Sequence, residues 1–279
     1  MAGGRRPDHA GPQRRHRGSA GHLRPGPADG TGRGAGELQR FRRGDHRAFL
    51  GQLTPTLLQS VLAGELALRH DRPGWDHEAI STVCDELRSP QYQGAWANTP
   101  WGRTLPRSCV GTDPDRYRHN LQARPSQPCQ RLDQLFFQPL CHWLEQRFEL
   151  PVHPLRLADG TPLPGWALRE MAPGGTIPDH CERDWNHCNL VETGRLTDTL
   201  FDPNLQMSFL YGLQAASGGG ELEILANREQ HDLAAGDLLL FNAGVHPHRI
   251  RPTLGPRSRV VLGGFLRLNQ SRTTLHCYV

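Results

Sequence analysis

The sequence predicts an α+β fold in which an N-terminal helical region packs on a β-domain. Residues 45–150 place apolar side chains mostly at helical spacing, whereas from residue 151 onward short apolar strands alternate with Gly and Pro turn signals. About seven strands at such spacing are typical of an all-β sandwich or barrel, with the jelly roll as the leading candidate. Helices before strands indicate that the helices buttress one sheet.

The first 44 residues are set apart by their composition. Residues 1–44 consist mainly of Gly, Arg, Pro and Ala without apolar periodicity, so we expect a disordered Arg/Gly/Pro-rich tail. An RNA-binding arm or a transit peptide remains the alternative interpretation of this segment. The sequence therefore divides into a tail (1–44), a helical region that packs on the barrel (45–150) and a β-domain (151–279).

Three helices are expected in the helical region. Thr54-Pro55 is typical of a helix start, and Asp76 can cap a second helix. A third helix is predicted from about residue 128 to 149, because its apolar residues recur along one face. The intervening residues 89–127 are rich in Pro, Gly and Gln, which predicts a loop.

The strands expected after residue 151 are short and separated by turn signals. In chain order they are WALREM, TIPDH, QMSFLYGLQ, GELEIL, GDLLLFN, HPHRIRP and SRVVLGGFLRL.

Charge and hydrophobicity argue against nucleic-acid and membrane partners. All 32 basic residues are Arg, and the net charge is +4. Residues 1–47 hold 11 Arg against four acidic residues, a balance of +7, so the remaining 232 residues carry −3. A mildly acidic body offers no basic groove for nucleic acid. The chain is 36% hydrophobic and has no apolar run of membrane-spanning length.

The cysteine pattern suggests a reducing compartment. The seven Cys form no C-x-x-C pair, and no apolar signal region follows the Arg-rich start of the chain. Scattered thiols of this kind suit the cytoplasm, which is the expected location.

One short segment carries metal-ligand chemistry. His180 and Glu182 are two residues apart at the end of the TIPDH strand, so both side chains can point to the same side. The segment GVHPHRIRP supplies a third donor, either His246 or His248. Two His and one carboxylate form the facial triad of non-heme Fe(II) oxygenases, which leaves three metal positions open.

The order of motifs over residues 164–268 resembles the 2-oxoglutarate/Fe(II)-dependent dioxygenase superfamily, especially its prolyl-hydroxylase-like branch. That branch has a strand ending in a Gly turn, His-x-Asp/Glu, a strand, Gly-Gly-Glu-Leu, Gly-x-hydrophobic-Phe, His-x-x-x-Pro and an Arg. This chain offers, in the same order, MAPGG, His180-Cys181-Glu182, MSFLYGLQ, GGGELEIL, GDLLLFNAGVHPHRIRP and RSRVVLGGFLRL.

The resemblance implies a double-stranded β-helix that binds Fe(II) and 2-oxoglutarate. It selects His248, with Pro252 four residues on, and keeps His246 as the alternative. For the distal carboxylate of 2-oxoglutarate it selects Arg259, six residues before an aromatic residue, with Arg257 as the alternative. Arg can grip a carboxylate through two hydrogen bonds.

Two further side chains have inward parity on the strand before the Gly turn. Arg169 and Met171 are expected to line the co-substrate pocket.

The resemblance also implies O₂ as co-substrate and ascorbate as a stimulatory reductant. The triad of His180, Glu182 and His248 would hold the iron.

The retained carboxylate bears on the reaction, because superfamily halogenases have a small residue in place of Glu182. Hydroxylation of an unactivated C–H, with release of succinate and CO₂, is therefore the implied activity. A small molecule, such as an amino acid or biosynthetic intermediate, is the expected substrate. A peptidyl (prolyl-type) hydroxylase and a metal-binding cupin-like isomerase or binding module remain the alternatives.

Overall fold

Two β-sheets that face each other form the centre of the fold, and helices cover the outer face of the larger sheet. The computed structural model describes residues 56–62, 68–105, 122–156, 159–182, 206–269 and 271–279.

The helices precede most of the strands along the chain. The α-helices are α1 (Thr56–Leu62), α2 (His77–Arg88), α3 (Ser126–Leu132) and α4 (Gln138–Phe148), with a 3₁₀ turn at Pro90–Ala95 and a π-helical turn at Asp133–Phe137. The strands before the smaller sheet begins are β1 (Leu68–Asp71), β2 (Ala97–Thr99), β3 (Gly102–Leu105), β4 (Val152–Pro154) and β5 (Ala167–Met171). The remaining strands are β6 (Ile177–His180), β7 (Met207–Gln214), β8 (Gly218–Gly219), β9 (Leu222–Ile224), β10 (Glu229–His231), β11 (Leu238–Phe241), β12 (His248–Ile250), β13 (Thr253–Leu254), β14 (Arg259–Leu268) and β15 (Leu275–Tyr278).

The strand order is that of a jelly roll. The larger sheet has nine strands in the order β1-β11-β7-β14-β5-β3-β2, with β15 attached to β14 and β4 to β15. The smaller sheet has the order β10-β9-β12-β6. Neighbouring strands are antiparallel except for the parallel β15–β4 pair. The predicted α+β fold with a double-stranded β-helix core is therefore confirmed.

The central strand β14 is buried on both faces, which explains its nearly continuous apolar sequence. Its outward side chains Val260, Leu262 and Leu266 pack in one core with the helices. The inward Val261 joins a second core that contains residues of both sheets, including Leu222 of β9. The second core therefore lies between the sheets and forms part of the wall of the central cavity.

The helix predicted after Asp76 is confirmed as α2. The Asp76 carboxylate accepts a hydrogen bond of 3.0 Å from the backbone N–H of Ala79, which satisfies one of the free donors at the helix start. Its buried face includes Ile80, Val83 and Leu87, which recur at the spacing of one helix face.

The helix predicted at about 128–149 is a run of α3, the π-helical turn and α4. The π-helical turn adds one residue to the helical repeat, so that the buried Phe136 and Phe137 both face apolar surroundings. At its first residue, the Asp133 carboxylate accepts a 2.7 Å hydrogen bond from the indole N–H of the fully buried Trp166. This bond joins the helices to the segment that leads into β5.

The expectation that residues 45–150 are helical needs a correction. This range also contributes β1, β2 and β3 to the larger sheet, and β2 and β3 lie inside the predicted loop 89–127. Strands of three or four residues with polar side chains lack the alternation that predicts a strand. Gly102 is a loop signal in the sequence, yet it allows β3 to approach β5, since a Cβ there would lie 2.2 Å from the carbonyl oxygen of Glu170.

Some expectations concern residues beyond those described. The tail 1–44 and the helix start at Thr54-Pro55 lie outside the described residues. The domain division at residue 150 stays a prediction. Among the described residues, no helix is long and apolar enough to cross a membrane.

One carboxylate on the outer face of β5 joins three elements. Glu170 accepts hydrogen bonds from Arg88 of α2 and Arg103 of β3, both at 2.6 Å, and from the Ser258 hydroxyl at 2.8 Å. Burial raises the pKa of this carboxyl, but the hydrogen bonds from Arg88, Ser258 and Arg103 outweigh burial and leave the pKa below its ordinary value. Glu170 therefore stabilises the fold as a carboxylate.

We expect Glu170→Gln to lower the free energy of unfolding at neutral pH by about 2–3 kcal/mol, less than for a fully buried ion pair. Because the folded pKa is depressed, this contribution is present above the unfolded pKa of about 4.3 and is lost as pH falls through the folded pKa. Urea unfolding of both proteins across this range measures the difference. Asp85→Asn is the control, because Asp85 pairs with Arg88 through a side chain that is 64% exposed. A difference that does not shrink at low pH would contradict the prediction.

Candidate metal centre

Two histidines face each other across the smaller sheet. His180, the last residue of β6, lies directly opposite His248, the first residue of β12. Directly opposed residues in an antiparallel pair project to the same side of the sheet. The two imidazole ring centroids are accordingly 4.2 Å apart.

Glu182 completes a group of three donors. Its backbone N–H donates a 3.0 Å hydrogen bond to the carbonyl of Ala243, which fixes the chain just after β6. One ligand atom from each of His180, Glu182 and His248 lies within 4.8 Å of the others. Glu182 and His248 are buried, so their ligand atoms are largely removed from competing water.

Hydrogen bonds select the imidazole nitrogens that face Glu182. The Nδ1 atom of His180 lies 2.7 Å from the carbonyl oxygen of Pro178, and that of His248 lies 2.7 Å from the carbonyl oxygen of His246. Because a carbonyl only accepts, both Nδ1 atoms carry the proton, and Nε2 has the lone pair. The Nε2 of His180 is 3.8 Å from a carboxylate oxygen of Glu182.

The charge state of His248 also suits a metal ligand. Burial, and then the nearby His180, lowers the pKa of His248 to about 4. The imidazole is therefore neutral at neutral pH and can donate its lone pair. Two imidazoles and one carboxylate fit a first-row divalent cation.

The loop after β11 holds both ends of the group. The side-chain oxygen of Asn242 accepts hydrogen bonds from the N–H groups of Gly244 and Val245, and its side-chain N–H₂ donates to the carbonyl of Leu62 at 2.9 Å. The carbonyl of Ala243 in turn accepts from the Glu182 N–H. The fully buried Asn242 thus orders the loop after β11, which bonds to the Glu182 backbone and leads into His248.

The alternative His246 is not part of the convergent group. Its backbone carbonyl accepts from His248, and its Nε2 is buried without a hydrogen bond in the described part of the chain. The group of donors that can reach one ion contains His248 instead.

A cavity of about 360 Å³ opens beside the three donors, between the two sheets. His180, Glu182 and His248 line it together with Arg259, and the turn between β2 and β3 forms a further wall. The turn includes Trp101, whose contribution the sequence did not suggest because this segment was predicted as a loop.

Arg259 reaches the cavity from the start of β14. It is buried, and its Nη2 atom has no hydrogen-bond partner among the described residues. Burial, and then repulsion from Arg169, lowers the pKa of Arg259 to about 10, so the side chain is still a cation at neutral pH. Gly220 leaves room for it, since a Cβ there would lie 3.1 Å from Cδ of Arg259.

Of the other candidate residues near Arg259, two line the cavity and one does not. Met171 is its direct partner on β5 and lines the cavity, as does Arg169 two residues earlier. Arg257, the alternative to Arg259, donates from its backbone N–H to the Ser217 hydroxyl and from its guanidinium to the Ala216 carbonyl. It does not line the cavity.

Sequence reasoning missed several residues of the site. Ser208 and Phe241 project into the cavity from β7 and β11, and the Phe241 ring packs edge-on at 4.9 Å against His248. The alternation of MSFLYGLQ predicts the inward parity of Ser208, but no motif identifies it. Asn242 was similarly hidden, because its partner Leu62 lies far away in the sequence.

The C-terminal segment of the chain matches a known protein family. Residues 225–279 match the model of a family described as carrier-protein-independent halogenase WelO5, which consists of 2-oxoglutarate/Fe(II) enzymes. The matched segment includes His248 and Arg259 but neither His180 nor Glu182. The match confirms the resemblance to the 2-oxoglutarate/Fe(II)-dependent superfamily. No curated protein matches the chain.

Solved structures with similar folds were also found. A prolyl-4-hydroxylase from Pseudomonas putida is 19% identical, with 76% of this chain and 99% of that chain covered and a TM-score of 0.38. A 2OG-Fe(II) oxygenase family protein from Burkholderia pseudomallei is 13% identical, with 86% and 96% covered and a TM-score of 0.43. An N-substituted L-amino acid dioxygenase from Burkholderia ambifaria is 14% identical, with 78% and 89% covered and a TM-score of 0.45.

We expect Asn242→Ala to weaken Fe(II) binding by about tenfold, because residues that orient metal ligands typically contribute tenfold to a hundredfold. An anaerobic Fe(II) titration measures the dissociation constant. Asn242→Asp keeps the acceptor for Gly244 and Val245 and should recover part of the affinity. Asn227→Ala removes an exposed Asn as a control. Equal affinities of the Asn242→Ala and control variants would contradict the role of Asn242.

Proposed function

We propose that this chain is an Fe(II)- and 2-oxoglutarate-dependent oxygenase that hydroxylates an unactivated C–H of a small molecule and releases succinate and CO₂. The observation that carries the proposal is the convergence of His180, Glu182 and His248 within 4.8 Å on the wall of a cavity that also holds a buried arginine. An amino acid or a biosynthetic intermediate is the proposed substrate class.

His180, Glu182 and His248 would hold the iron. Three protein ligands on one face leave three positions for other molecules. Bound Fe(II) supplies the activation of O₂ that couples decarboxylation of 2-oxoglutarate to oxidation of the substrate. The protein's part is to hold the ligand atoms in place, keep both imidazoles in the Nδ1–H tautomer and exclude water. Ascorbate is proposed as a stimulatory reductant.

Arg259 is proposed to bind the distal carboxylate of 2-oxoglutarate. Its buried Nη2 atom lacks a partner in the described part of the chain, and a carboxylate would satisfy it through a charge-assisted hydrogen bond. Met171, directly opposite on β5, would pack against the methylene groups of the same molecule. Arg169 lines the cavity beside them.

Glu182 favours hydroxylation over halide transfer, although the matched family model describes a halogenase. The carboxylate fills the third protein position at the candidate metal centre. The matched segment begins after Glu182 and therefore gives no support to a vacant position there. The cavity volume of about 360 Å³ lies within the range of small-molecule sites and favours a small substrate over a peptide.

Anaerobic addition of Fe(II) and 2-oxoglutarate should produce a weak visible charge-transfer band, because 2-oxoglutarate would bind the metal directly. His180→Ala, Glu182→Ala and His248→Ala should each abolish it. His246→Ala is the matched control and should keep the band, since His248 is oriented by the backbone carbonyl of His246, which the substitution retains. No band in the unaltered protein, as expected for a cupin-like isomerase or a binding module, would refute the proposal, as would a band that survives in His248→Ala.

Arg259→Met should weaken 2-oxoglutarate binding by about 10- to 100-fold, the loss expected for a charge-assisted hydrogen bond. Titration of the band with 2-oxoglutarate measures the dissociation constant. Arg257→Met removes the neighbouring guanidinium, which does not line the cavity, and should leave the constant unchanged. A larger effect from Arg257→Met than from Arg259→Met would reverse the assignment.

A further inference from the structure

One register row of the larger sheet lies beside the candidate metal centre. Ser208 of β7 is directly opposite Phe241 of β11 on one side and Phe265 of β14 on the other. The Phe241 ring contacts the His248 imidazole edge-on at 4.9 Å. The row of Phe241, Ser208 and Phe265 therefore lies at the level of the metal-binding side chains.

Arg259 enters the cavity from another level of β14. It is six residues before Phe265 on the same strand, so its backbone lies at the start of β14, away from the row. At that level the distal carboxylate of 2-oxoglutarate is proposed to bind.

Arg169 reaches towards the metal end. It starts opposite Val261 on β14, and its Nη1 atom lies 3.7 Å from where a Cβ on Gly263 would be. Its Cζ atom is 5.7 Å from the Phe265 ring centroid. The side chain thus crosses Gly263, which has no side chain of its own, and brings the guanidinium to the metal level. Arg169 and Arg259 therefore reach the cavity from different levels of the larger sheet, yet they are close enough to repel each other.

A buried hydroxyl lies on the other side of the same aromatic residue. Ser208 is only 5% exposed, lines the cavity, and its Oγ atom has no hydrogen bond within the described part of the chain. Buried polar groups in native proteins are nearly always paired, so an unpaired hydroxyl that faces a cavity points to a ligand. Two strand spacings, about 10 Å, separate β5 from β7, with β14 between them. The Arg169 side chain already reaches from β5 to β14, so about one strand spacing remains between its guanidinium and β7.

We propose that Arg169 and Ser208 bind a carboxylate of the substrate, so that the substrate is a small carboxylic acid. A carboxylate can accept from the guanidinium and from the hydroxyl at once, which a neutral amide does less well. Apolar neighbours, including Leu210 and Val261, would contact the hydrocarbon part. This inference rests on the proposed function, because it assigns Arg259 to 2-oxoglutarate.

The test uses pairs of probes that differ only at the acid group: octanoate and octanamide, L-leucine and L-leucinamide, and benzoate and benzamide. Each is added anaerobically to the full chain loaded with Fe(II) and 2-oxoglutarate, and the change in the charge-transfer band gives its affinity. We expect at least one carboxylate to bind about tenfold or more tightly than its amide.

Arg169→Met should reduce that preference to about twofold or less while changing the 2-oxoglutarate dissociation constant by no more than about twofold. Ser208→Ala should weaken binding of the same carboxylate by about threefold or more. Arg251→Met, which removes a guanidinium outside the cavity, should keep the preference. The unchanged 2-oxoglutarate affinity also shows that the Arg169 variant is folded.

Three outcomes would overturn the inference: no carboxylate is preferred over its amide, Arg169→Met keeps the preference, or Arg169→Met weakens 2-oxoglutarate binding about as much as substrate binding. The last result would assign Arg169 to the co-substrate. Failure of the proposed function looks different, because the unaltered protein would then form no charge-transfer band before any probe is added.

Discussion

The cross-strand pairing of His180 with His248 is the constraint on which the candidate site depends. Antiparallel pairing in the smaller sheet brings together two imidazoles that are far apart in sequence. A shift of one residue would turn one imidazole to the other face of the sheet. The register must therefore be held firmly, and the backbone hydrogen bond from Glu182 to Ala243 extends that hold past the end of β6. The convergence of the candidate metal ligands is thus a consequence of sheet register.

The two sheets of the jelly roll give the two walls of the cavity different chemical characters. The smaller sheet contributes the nitrogen and oxygen donors, whereas the larger sheet contributes the cations Arg169 and Arg259 and most of the apolar wall. Arg259 is buried, and the carboxylate proposed to bind there would offset the cost of removing its guanidinium from water. Polar groups at separate points of the cavity, with apolar wall between them, orient a ligand by binding its two ends.

Much of this arrangement could be predicted from the sequence, because strand alternation assigns inward faces and the motif order assigns probable neighbours. His180, Glu182 and Arg259 follow from such local signals, and the structure brings them to one cavity. Parity alone could not separate His246 from His248. The motif resemblance selected His248, which cross-strand pairing places opposite His180. The hairpin of β2 and β3 could not be predicted, because its stability comes from contacts of Arg103 with Glu170 instead of from apolar alternation.

The ion pairs of Glu170 affect how the substrate range of this protein can change during evolution. Glu170 fastens the β2–β3 hairpin through Arg103 on the side of β5 that faces away from Arg169 and Met171. The attachment of the hairpin and the lining of the cavity by Arg169 and Met171 therefore depend on opposite faces of β5. Sequence drift at the tip, around Trp101, can reshape that wall of the cavity while the candidate metal ligands and Arg259 remain untouched.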